Sequence, residues 1–406
     1  MDGWVFDQGP HIMFSRDRLL LDCMVASLGG NVHRGRRNNR VAIGGALAGY
    51  PLENDLAALP LPLRADALIS MVRARETRSE PGNLADWFAA NFGDVLVSAY
   101  FRPYNEKVWN LPLEDLSLSW ADRIPQPPLE DVIRGALGEV TEGHLHQLLF
   151  CYPLRGGYSA LMDAWASGVR ARDMVLGAPV TRVTPAGGRV VVQTPTGDRC
   201  FGQVVSTLPL KRLVEIVPGV PAPVSAAVSR LVVNPIVVTT LGFEGRDPNR
   251  FTSVYIPDQD FLVNRVSFPA VFSPHNAPRG CFSVQAEITC APGSDLLGWS
   301  DDTIYDHVLD GLRARSLVPA GREAVFRWIE RLDHGYVVHT NGSEDDVRLA
   351  AGWFAGQGIV LHGRFGSHRY LNVDGCLRSS IELARRLGAA LTDAEILHRF
   401  ARLGGA

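Results

Sequence analysis

Two short stretches near opposite ends of the chain decide its fold. The first reads Val5-Phe6-Asp7-Gln8-Gly9-Pro10-His11-Ile12-Met13-Phe14, and the second reads Gly363-Arg364-Phe365-Gly366-Ser367-His368-Arg369-Tyr370-Leu371-Asn372-Val373-Asp374. In the first, an apolar run breaks at a Gly-Pro turn, where glycine allows close backbone approach and proline holds the bend. In the second, a Gly-Arg turn follows a short apolar strand, residues 358–362, and precedes a predicted helix over residues 374–387.

The composition predicts a globular protein with two domains. The chain has 406 residues, of which 46% are apolar and 20% charged, so it can bury a sizeable core. A net charge of -3 gives no general attraction to nucleic acid, so we expect no nucleic-acid partner. No apolar run reaches the ~18 residues of a membrane span and no secretion signal is visible. We therefore expect no integral membrane span.

The cysteines indicate neither a zinc site nor a disulfide framework. They are Cys23, Cys151, Cys200, Cys281, Cys290 and Cys376. None forms a C-x-x-C pair, and no histidine stands at metal-ligand spacing from them. We expect no metal and a cytoplasmic location.

Strands and helices alternate irregularly along the chain. Helical spacing covers residues 17–28 and 61–99, with Gly82 and Gly93 as breaks, and residues 31–45 suggest a hairpin that ends at Gly44-Gly45. Residues 180–183, 189–194 and 203–206 read as strands, and so do 325–329 and 336–339. This mixture predicts an α/β domain interrupted by an α+β substrate domain.

A third group of residues adds a family resemblance. Tyr104-x-x-Lys107-x-Trp109 is followed, fourteen residues after the tryptophan, by Arg123-Ile124-Pro125. With the two terminal stretches, this pattern resembles the UDP-galactopyranose mutase and protoporphyrinogen-oxidase-like branch of the flavin amine oxidase superfamily. The resemblance implies FAD as cofactor and a Rossmann-like FAD-binding domain over residues 1–50, 156–215 and 355–406. It places the α+β substrate domain at residues 51–155 and 216–354.

The resemblance also implies which residues meet FAD. They are Gly9, Pro10 and His11 at the first turn, Val180 for adenine, Gly363 and Arg364 at the second turn, and Asn372 and Asp374 at the helix start. Relatives carry a G-x-G-x-x-G phosphate loop before the Gly-Pro-His turn. No such loop follows a predicted strand here, so we expect an N-terminally truncated FAD domain. The cause would be natural loss, or a start codon placed roughly 30 to 40 residues too late.

On the substrate side, the resemblance assigns binding to Tyr104, Trp109, Arg123 and Arg265. Arginine suits a diphosphate because its planar fork donates parallel hydrogen bonds, and aromatic faces suit a base or sugar. It assigns catalysis to Arg364 and Tyr370. His368, His11 and His275 are candidate proton shuttles because imidazole titrates near neutrality, with His368 preferred for its place beside the second turn.

Three functions remain open at this point. One is an FAD-dependent oxidoreductase acting on a sugar, nucleotide sugar or natural product. Another is a non-redox mutase, in which reduced flavin acts through N5 on an anomeric carbon while arginines hold the diphosphate. The third is a flavin-free scaffold. The arginines favour the mutase, whereas divergence in residues 150–158 and 264–278 favours the oxidoreductase. Both enzymes would take a small-molecule substrate as their partner.

Overall fold

The computed structural model describes residues 3–77, 80–139 and 148–405. The strands are β1 Val32–Arg36, β2 Asn39–Ile43, β3 Ala46–Gly49, β4 Leu149–Pro153, β5 Arg182–Ala186, β6 Arg189–Thr194, β7 Gly197–Phe201, β8 Val204–Ser206, β9 Val232–Glu244, β10 Ser253–Tyr255, β11 Arg265–Ser267, β12 Cys281–Thr289, β13 Phe326–Val338 and β14 Ile359–Leu361.

The helices of the described residues complete an α/β fold. They are α1 Arg18–Ser27, α2 Leu61–Glu76, α3 Leu84–Leu96, α4 Arg102–Trp109, α5 Leu129–Ala136, α6 Ser159–Ser167, α7 Leu210–Ile216, α8 Ala222–Arg230, α9 Pro269–Phe272, α10 Asp301–Ala314, α11 Ser343–Gly356, α12 Gly363–Gly366, α13 Val373–Arg386 and α14 Asp393–Leu403. A π-turn, Val97–Phe101, joins α3 to α4, and a 3₁₀ helix, Leu118–Arg123, follows α4. None of the helices in the described ranges is long and apolar enough to cross a membrane.

The largest sheet has seven strands in the order β13-β9-β12-β11-β10-β2-β3. Its neighbours run antiparallel except β10 and β2, which are parallel. Strand β9 reads VVNPIVVTTLGFE and is buried along most of its length, as a near-continuous apolar and β-branched run predicts. Strands β8 and β14 form a separate parallel pair, and β5-β6-β7 form an antiparallel meander.

The predicted hairpin over residues 31–45 is wrong in its pairing. Strand β1 pairs with the distant β4, and β2 pairs with β3 across the Gly44-Gly45 turn. The turn predicted at Gly44-Gly45 is present, between β2 and β3. The partner of β1 lies more than a hundred residues away, so the sequence near β1 does not indicate it. Two strand boundaries also differ. Strand β5 begins at Arg182 rather than at Val180, and β13 joins two predicted segments across a bulge between Leu332 and Tyr336.

Buried side chains form four clusters. One lies among α2 to α5 and contains Phe88, Phe92 and Phe101, and a second lies against the seven-stranded sheet and α10. A third joins α1, α6, α13 and α14. The fourth packs α7, α8 and α11 against β14 and the meander, with Phe354 at its centre. Helices α8 and α11 belong to the predicted substrate domain, yet they pack here against α7 and β14 of the predicted FAD-binding domain. The boundaries between the two domains therefore stay a prediction.

The two ends of the chain meet. The Ser15 hydroxyl donates to a carboxylate oxygen of Asp374 at 2.8 Å, and Arg378 forms a salt bridge with Asp17 at 2.7 Å. The Asp17 side chain also accepts from the amides of Leu19 and Leu20, so it caps the start of α1. These contacts bring the segment after Gly9 against α13.

Helix α3 packs closely on α2 at Gly93. Its φ of +71° is left-handed, and a Cβ there would lie 2.4 Å from Ser70 Oγ and 2.5 Å from the Ser70 carbonyl carbon. We expect Gly93→Ala to lower the free energy of unfolding by about 2 to 4 kcal/mol, because it adds a clash to an unfavourable backbone conformation. Gly188, with φ +79° and nothing within 4 Å of its Cβ position, is the control. In urea unfolding, Gly188→Ala should lower the free energy of unfolding by only about 1 kcal/mol. Equal losses for Gly93→Ala and Gly188→Ala would contradict the close packing of α3 on α2.

Candidate functional site

Four aromatic rings surround the C-terminal turn and are called the ring cluster: Trp109, Trp120, Tyr336 and Tyr370. Tyr370 stacks on Tyr336 with 6.0 Å between ring centroids and 6° between planes. The edge of Trp120 meets Tyr370 at 4.6 Å and Trp109 at 4.3 Å. Trp109 is buried and supports the other rings from behind. The 3₁₀ helix, α4, β13 and the segment after α12 therefore each contribute one ring.

Two arginines flank Tyr370. The guanidinium carbon of Arg364 lies 4.1 Å from the centre of the Tyr370 ring, and that of Arg123 lies 4.8 Å from it, which is cation–π geometry. Arg123 also donates to the Tyr370 carbonyl, and Arg364 donates to the carbonyls of Leu371 and Gly335 at 3.3 and 3.2 Å. Burial lowers the pKa of Arg123, and neighbouring Arg364 lowers it further. The structure thus brings three of the predicted site residues together.

Arg265 is paired with a buried carboxylate. Its Nη2 donates to both oxygens of Glu287, at 2.7 and 2.8 Å, and Nε donates to one of them at 3.2 Å. The Tyr336 hydroxyl donates to Glu287 at 3.0 Å. The Glu287 side chain is 1% exposed and that of Arg265 is 25% exposed. Although burial opposes its charge, Glu287 holds the pKa of Arg265 well above its usual value. This triad connects Arg265 to the ring cluster through Tyr336.

The Gly9 bend reaches the same carboxylate. A Cβ on Gly9, whose φ is +123°, would lie 3.9 Å from a Glu287 oxygen. The preceding Asp7 accepts from the Tyr152 hydroxyl and the Tyr158 amide, both at 2.8 Å, and its pKa is raised by burial. Because Glu287 also bonds Tyr336, the Gly9 bend and the Arg364 turn border one region.

His11 and Pro10 follow directly. His11 is exposed, and its Nδ1 donates to the Gly9 carbonyl at 2.7 Å, while its ring packs on Tyr158 at 5.4 Å. This hydrogen bond closes the turn that Pro10 begins.

A second row of rings continues from the Arg265 side. Tyr104 stacks on Tyr100 at 5.7 Å and meets the edge of Tyr255, also at 5.7 Å. Tyr255 in turn contacts Tyr50 at 4.8 Å. Burial raises the pKa of Tyr104 well above its usual value, so its hydroxyl stays protonated. Lys107, one helical turn later, donates to three backbone carbonyls of residues 256–263 and fixes α4 in place.

Two buried polar atoms near α13 have no hydrogen-bond partner among the described residues. They are the Tyr158 hydroxyl and Arg364 Nε. Both lie close to Cys376: Arg364 affects the pKa of that thiol, and Cys376 and Asp374 act on Tyr158. A buried donor without a partner costs roughly 1–3 kcal/mol, so a bound group that supplied acceptors here would stabilise both atoms.

The remaining predicted residues lie outside this region or at its margin. Val180 packs in the fourth cluster, near β8 and β14. Asn372 is the N-cap of α13, although its side chain makes no capping bond. Gly363 has a φ of +76° and begins α12. His275 is exposed in the loop after α9, where its amide bonds Ser273.

His368, the preferred proton shuttle, lies in the interior. It is 5% exposed, its Nε2 has no partner among the described residues, and its ring stacks on His339 at 6.5 Å. Burial and His339 lower its pKa to about 4, against a hydrogen bond to the Val338 backbone. The imidazole is therefore neutral at pH 7.

This lowered pKa predicts a pH-dependent stability. Unfolded histidine binds its proton near pH 6.5 but His368 does not, so the free energy of unfolding should fall as pH drops from about 6.5 towards 4. We expect His368→Asn, which tolerates the φ of +45° found there, to weaken this dependence in urea titrations at several pH values. His398→Asn, on the exposed face of α14, is the control. If the free energy of unfolding of His368→Asn depended on pH as strongly as that of the natural chain, the burial argument would be contradicted.

Sequence reasoning missed Glu287, Tyr336, Trp120 and Tyr255. One signal was available for Glu287, since a lone carboxylate within the apolar strand CFSVQAEIT is rarely buried without a partner. The aromatic residues carried no distinguishing signal, because aromatic side chains occur throughout cores.

Comparison with known proteins identifies the family. The family model described as flavin containing amine oxidoreductase matches residues 1–387. The chain belongs to this family. A crystal structure of reduced UDP-galactopyranose mutase is similar, with 22% sequence identity and a TM-score of 0.87, covering 99% of this chain and 89% of that one.

Two further structures share the fold. A protein described as a putative protoporphyrinogen oxidase from Exiguobacterium sp. 255-15 has 18% identity and a TM-score of 0.74, covering 95% of this chain and 88% of that one. Cyclohexylamine oxidase from Brevibacterium oxydans IH-35A has 12% identity and a TM-score of 0.64, covering 98% and 88%. The predicted flavin fold and the predicted membership of the flavin amine oxidase superfamily are confirmed.

The cofactor of this family is FAD, and the residues around the two turns fit a bound group that carries hydrogen-bond acceptors. The Tyr158 hydroxyl and Arg364 Nε are donors lacking acceptors, and Gly9 leaves the space that a side chain would fill. Asp374 and Arg364 would then hold the part of the cofactor nearest α13. Among the described residues, no group of three His, Cys, Asp or Glu side chains could hold a metal.

Proposed function

We propose that this chain is a flavin-dependent enzyme that binds a nucleotide diphosphate sugar and rearranges it without net oxidation. One observation carries the proposal: Arg123 and Arg364 flank Tyr370, and neither guanidinium forms a salt bridge within the described part of the chain. Two neighbouring guanidinium groups that form no salt bridge favour an anionic ligand.

The surrounding charges support an anion over an amine. Glu287, the buried carboxylate that the described residues place beside the rings, is already neutralised by Arg265. An ammonium group would face Arg123 and Arg364, and Asp374, the carboxylate that acts on Arg123, already accepts a hydrogen bond from the Ser15 hydroxyl. A diphosphate would receive parallel hydrogen bonds from these guanidinium groups. The tyrosine row from Tyr104 to Tyr50 offers faces for a planar base.

The roles of the chain's own groups follow from this arrangement. The arginines would stabilise the negative charge that develops on a departing diphosphate, which is the largest contribution a fixed positive group can make. The Tyr370 and Tyr336 rings would hold the sugar in line and keep water from it. When reduced, FAD supplies a nucleophilic nitrogen for such chemistry.

An oxidoreductase is the second candidate, favoured by the family's description as an amine oxidoreductase. The sequence divergence that pointed to it lies mostly away from the ring cluster. Arg265 is the exception, because its Nη2 donates to the Tyr336 hydroxyl at 3.1 Å. Strand β4 and the loop at residues 273–276 hold the Asp7 and Gly9 bend, through Tyr152 and the Asn276 carbonyl. Apart from Arg265, these segments do not line the ring cluster, so most of their divergence says little about the substrate.

A spectrum of the purified chain with added FAD tests the proposal. We expect a yellow protein that converts UDP-galactopyranose only after dithionite reduction and leaves the reduced flavin unchanged. Bleaching of the visible flavin band by substrate alone would instead establish the oxidoreductase.

Thermal unfolding distinguishes the two flavoenzyme hypotheses from the hypothesis of a flavin-free scaffold. FAD at 100 times its Kd should stabilise the folded chain by about 2.7 kcal/mol. A colourless protein whose stability FAD does not raise would overturn the flavoenzyme proposal.

A further inference from the structure

The backbone of Tyr370 is held by side chains rather than by a helix or strand. Residues 369–372 lie between α12 and α13 in no regular element. The Tyr370 carbonyl accepts from Arg123, and the Tyr370 amide donates to Nε2 of His339 at 3.2 Å. The placement of the Tyr370 ring between Arg123 and Arg364 therefore depends on an imidazole outside the ring cluster.

The hydrogen bonds of His339 define its protonation state. Nε2 accepts from the Tyr370 amide, so it carries no proton, and Nδ1 must then carry the proton of the neutral ring. Nδ1 lies 3.1 Å from the Ser119 hydroxyl and donates to it. The His339 carbonyl also accepts from the Ser117 amide at 2.9 Å. His339 thus joins the 3₁₀ helix, the end of β13 and the segment that carries Tyr370.

A protonated His339 could not keep this arrangement. An imidazolium has N–H groups at both nitrogens, so Nε2–H would point at the Tyr370 N–H and two donors would oppose each other. We propose that His339 is a positioning residue for Tyr370: its neutral imidazole holds the Tyr370 amide, and its protonation releases that residue and weakens ligand binding between the two arginines. The ligand-binding part of this inference rests on the proposed function.

The surroundings favour the neutral form near pH 7. Burial lowers the pKa of His339. The charged and titratable groups that face it are Arg123, Arg364, Arg369, His368 and Glu344. The three arginines lower the pKa further, and only Glu344 opposes them. The switch should therefore operate on the acid side of pH 6.5, the usual value for histidine.

The amide resonance of Tyr370 reports directly whether His339 accepts the hydrogen bond of that amide. The chain has nine tyrosines, so selective ¹⁵N-tyrosine labelling of the full FAD-loaded chain gives few peaks, and the peak lost in Tyr370→Phe identifies Tyr370. We expect that peak to titrate below about pH 6.5 in the natural chain. In His339→Gln, whose amide oxygen accepts at every pH, it should stay constant, whereas in His339→Leu it should be displaced throughout.

Binding of UDP, measured by calorimetry, provides the second readout. We expect the dissociation constant of the natural chain to rise below pH 6.5, and that of His339→Gln to stay flat. At pH 7.5, His339→Leu should bind roughly five- to tenfold more weakly, the effect of one lost hydrogen bond, while His339→Gln retains affinity.

A Tyr370 peak that titrates identically in His339→Gln, or that stays in place in His339→Leu, would overturn the positioning role. If the peak behaves as expected but UDP binds at no pH, the positioning role stands and the proposed nucleotide ligand fails. Melting temperatures of the variants identify any that do not fold.

Discussion

Glu287→Gln is expected to lower the free energy of unfolding by about 3 kcal/mol at pH 7. The substitution keeps the volume of the side chain but leaves the guanidinium of Arg265 without its counter-charge beside a carboxylate site that is only 1% exposed. Removing one partner of a buried pair costs roughly 3–5 kcal/mol, and the 25% exposure of Arg265 places the expected value at the lower end. Urea denaturation would measure this loss in the free energy of unfolding, provided that the variant keeps the same dependence of that free energy on urea concentration.

Two matched variants isolate the cause. Glu114→Gln removes a carboxylate from an exposed pair with Arg102 and should cost no more than about 1 kcal/mol. Adding Arg265→Met to Glu287→Gln should recover part of the loss, because the uncompensated charge is then gone. A loss below about 1 kcal/mol for Glu287→Gln, or no recovery in the double variant, would show that the pair is not buried as described.

Arg123→Ala is expected to weaken binding of UDP-galactopyranose by about 1.5 to 3 kcal/mol, or roughly 10- to 150-fold. The reason is the loss of a charged donor that lies 4.8 Å from the centre of the Tyr370 ring and holds the Tyr370 carbonyl. Calorimetric titration measures the dissociation constant. Arg123→Lys should recover only part of the affinity, because an ammonium group cannot form the parallel hydrogen bonds of a guanidinium.

Arg134→Ala is the control for a general loss of positive charge. Arg134 lies on α5, where it pairs with Glu130 and Glu139 at the surface. We expect its removal to change the dissociation constant less than twofold. Equal affinities for Arg123→Ala and the natural chain would remove the nucleotide-diphosphate proposal while leaving the flavin fold unaffected.

Local features of the fold could be predicted because their causes are local. Asp17 caps α1, Thr392 and Glu395 form the capping box that begins α14, and Gly93 breaks α3. Each depends on residues within one helical turn, whose spacing is visible in the sequence. The Gly9 and Arg364 turns were recognisable for the same reason, since each is a short motif of fixed spacing.

The partners of the site residues could not be predicted in this way. Arg265 was expected to meet a diphosphate, yet the register of β11 on β12 places it directly opposite Glu287. His368 was expected to shuttle protons, yet it lies buried, neutral and stacked on His339. Strand register and burial depend on contacts between distant segments, and neither is written in the spacing of nearby residues.

Motifs and spacings in the sequence were enough to predict the family, its FAD cofactor and the helices and turns whose signals lie within a few residues of one another. The folded chain was needed to show that Arg123 and Arg364 flank one tyrosine, that Glu287 neutralises Arg265 and that His339 holds the Tyr370 amide. The physical reason is that charge pairing and ring stacking act over a few ångströms in space, between residues that the chain separates by tens to hundreds of positions.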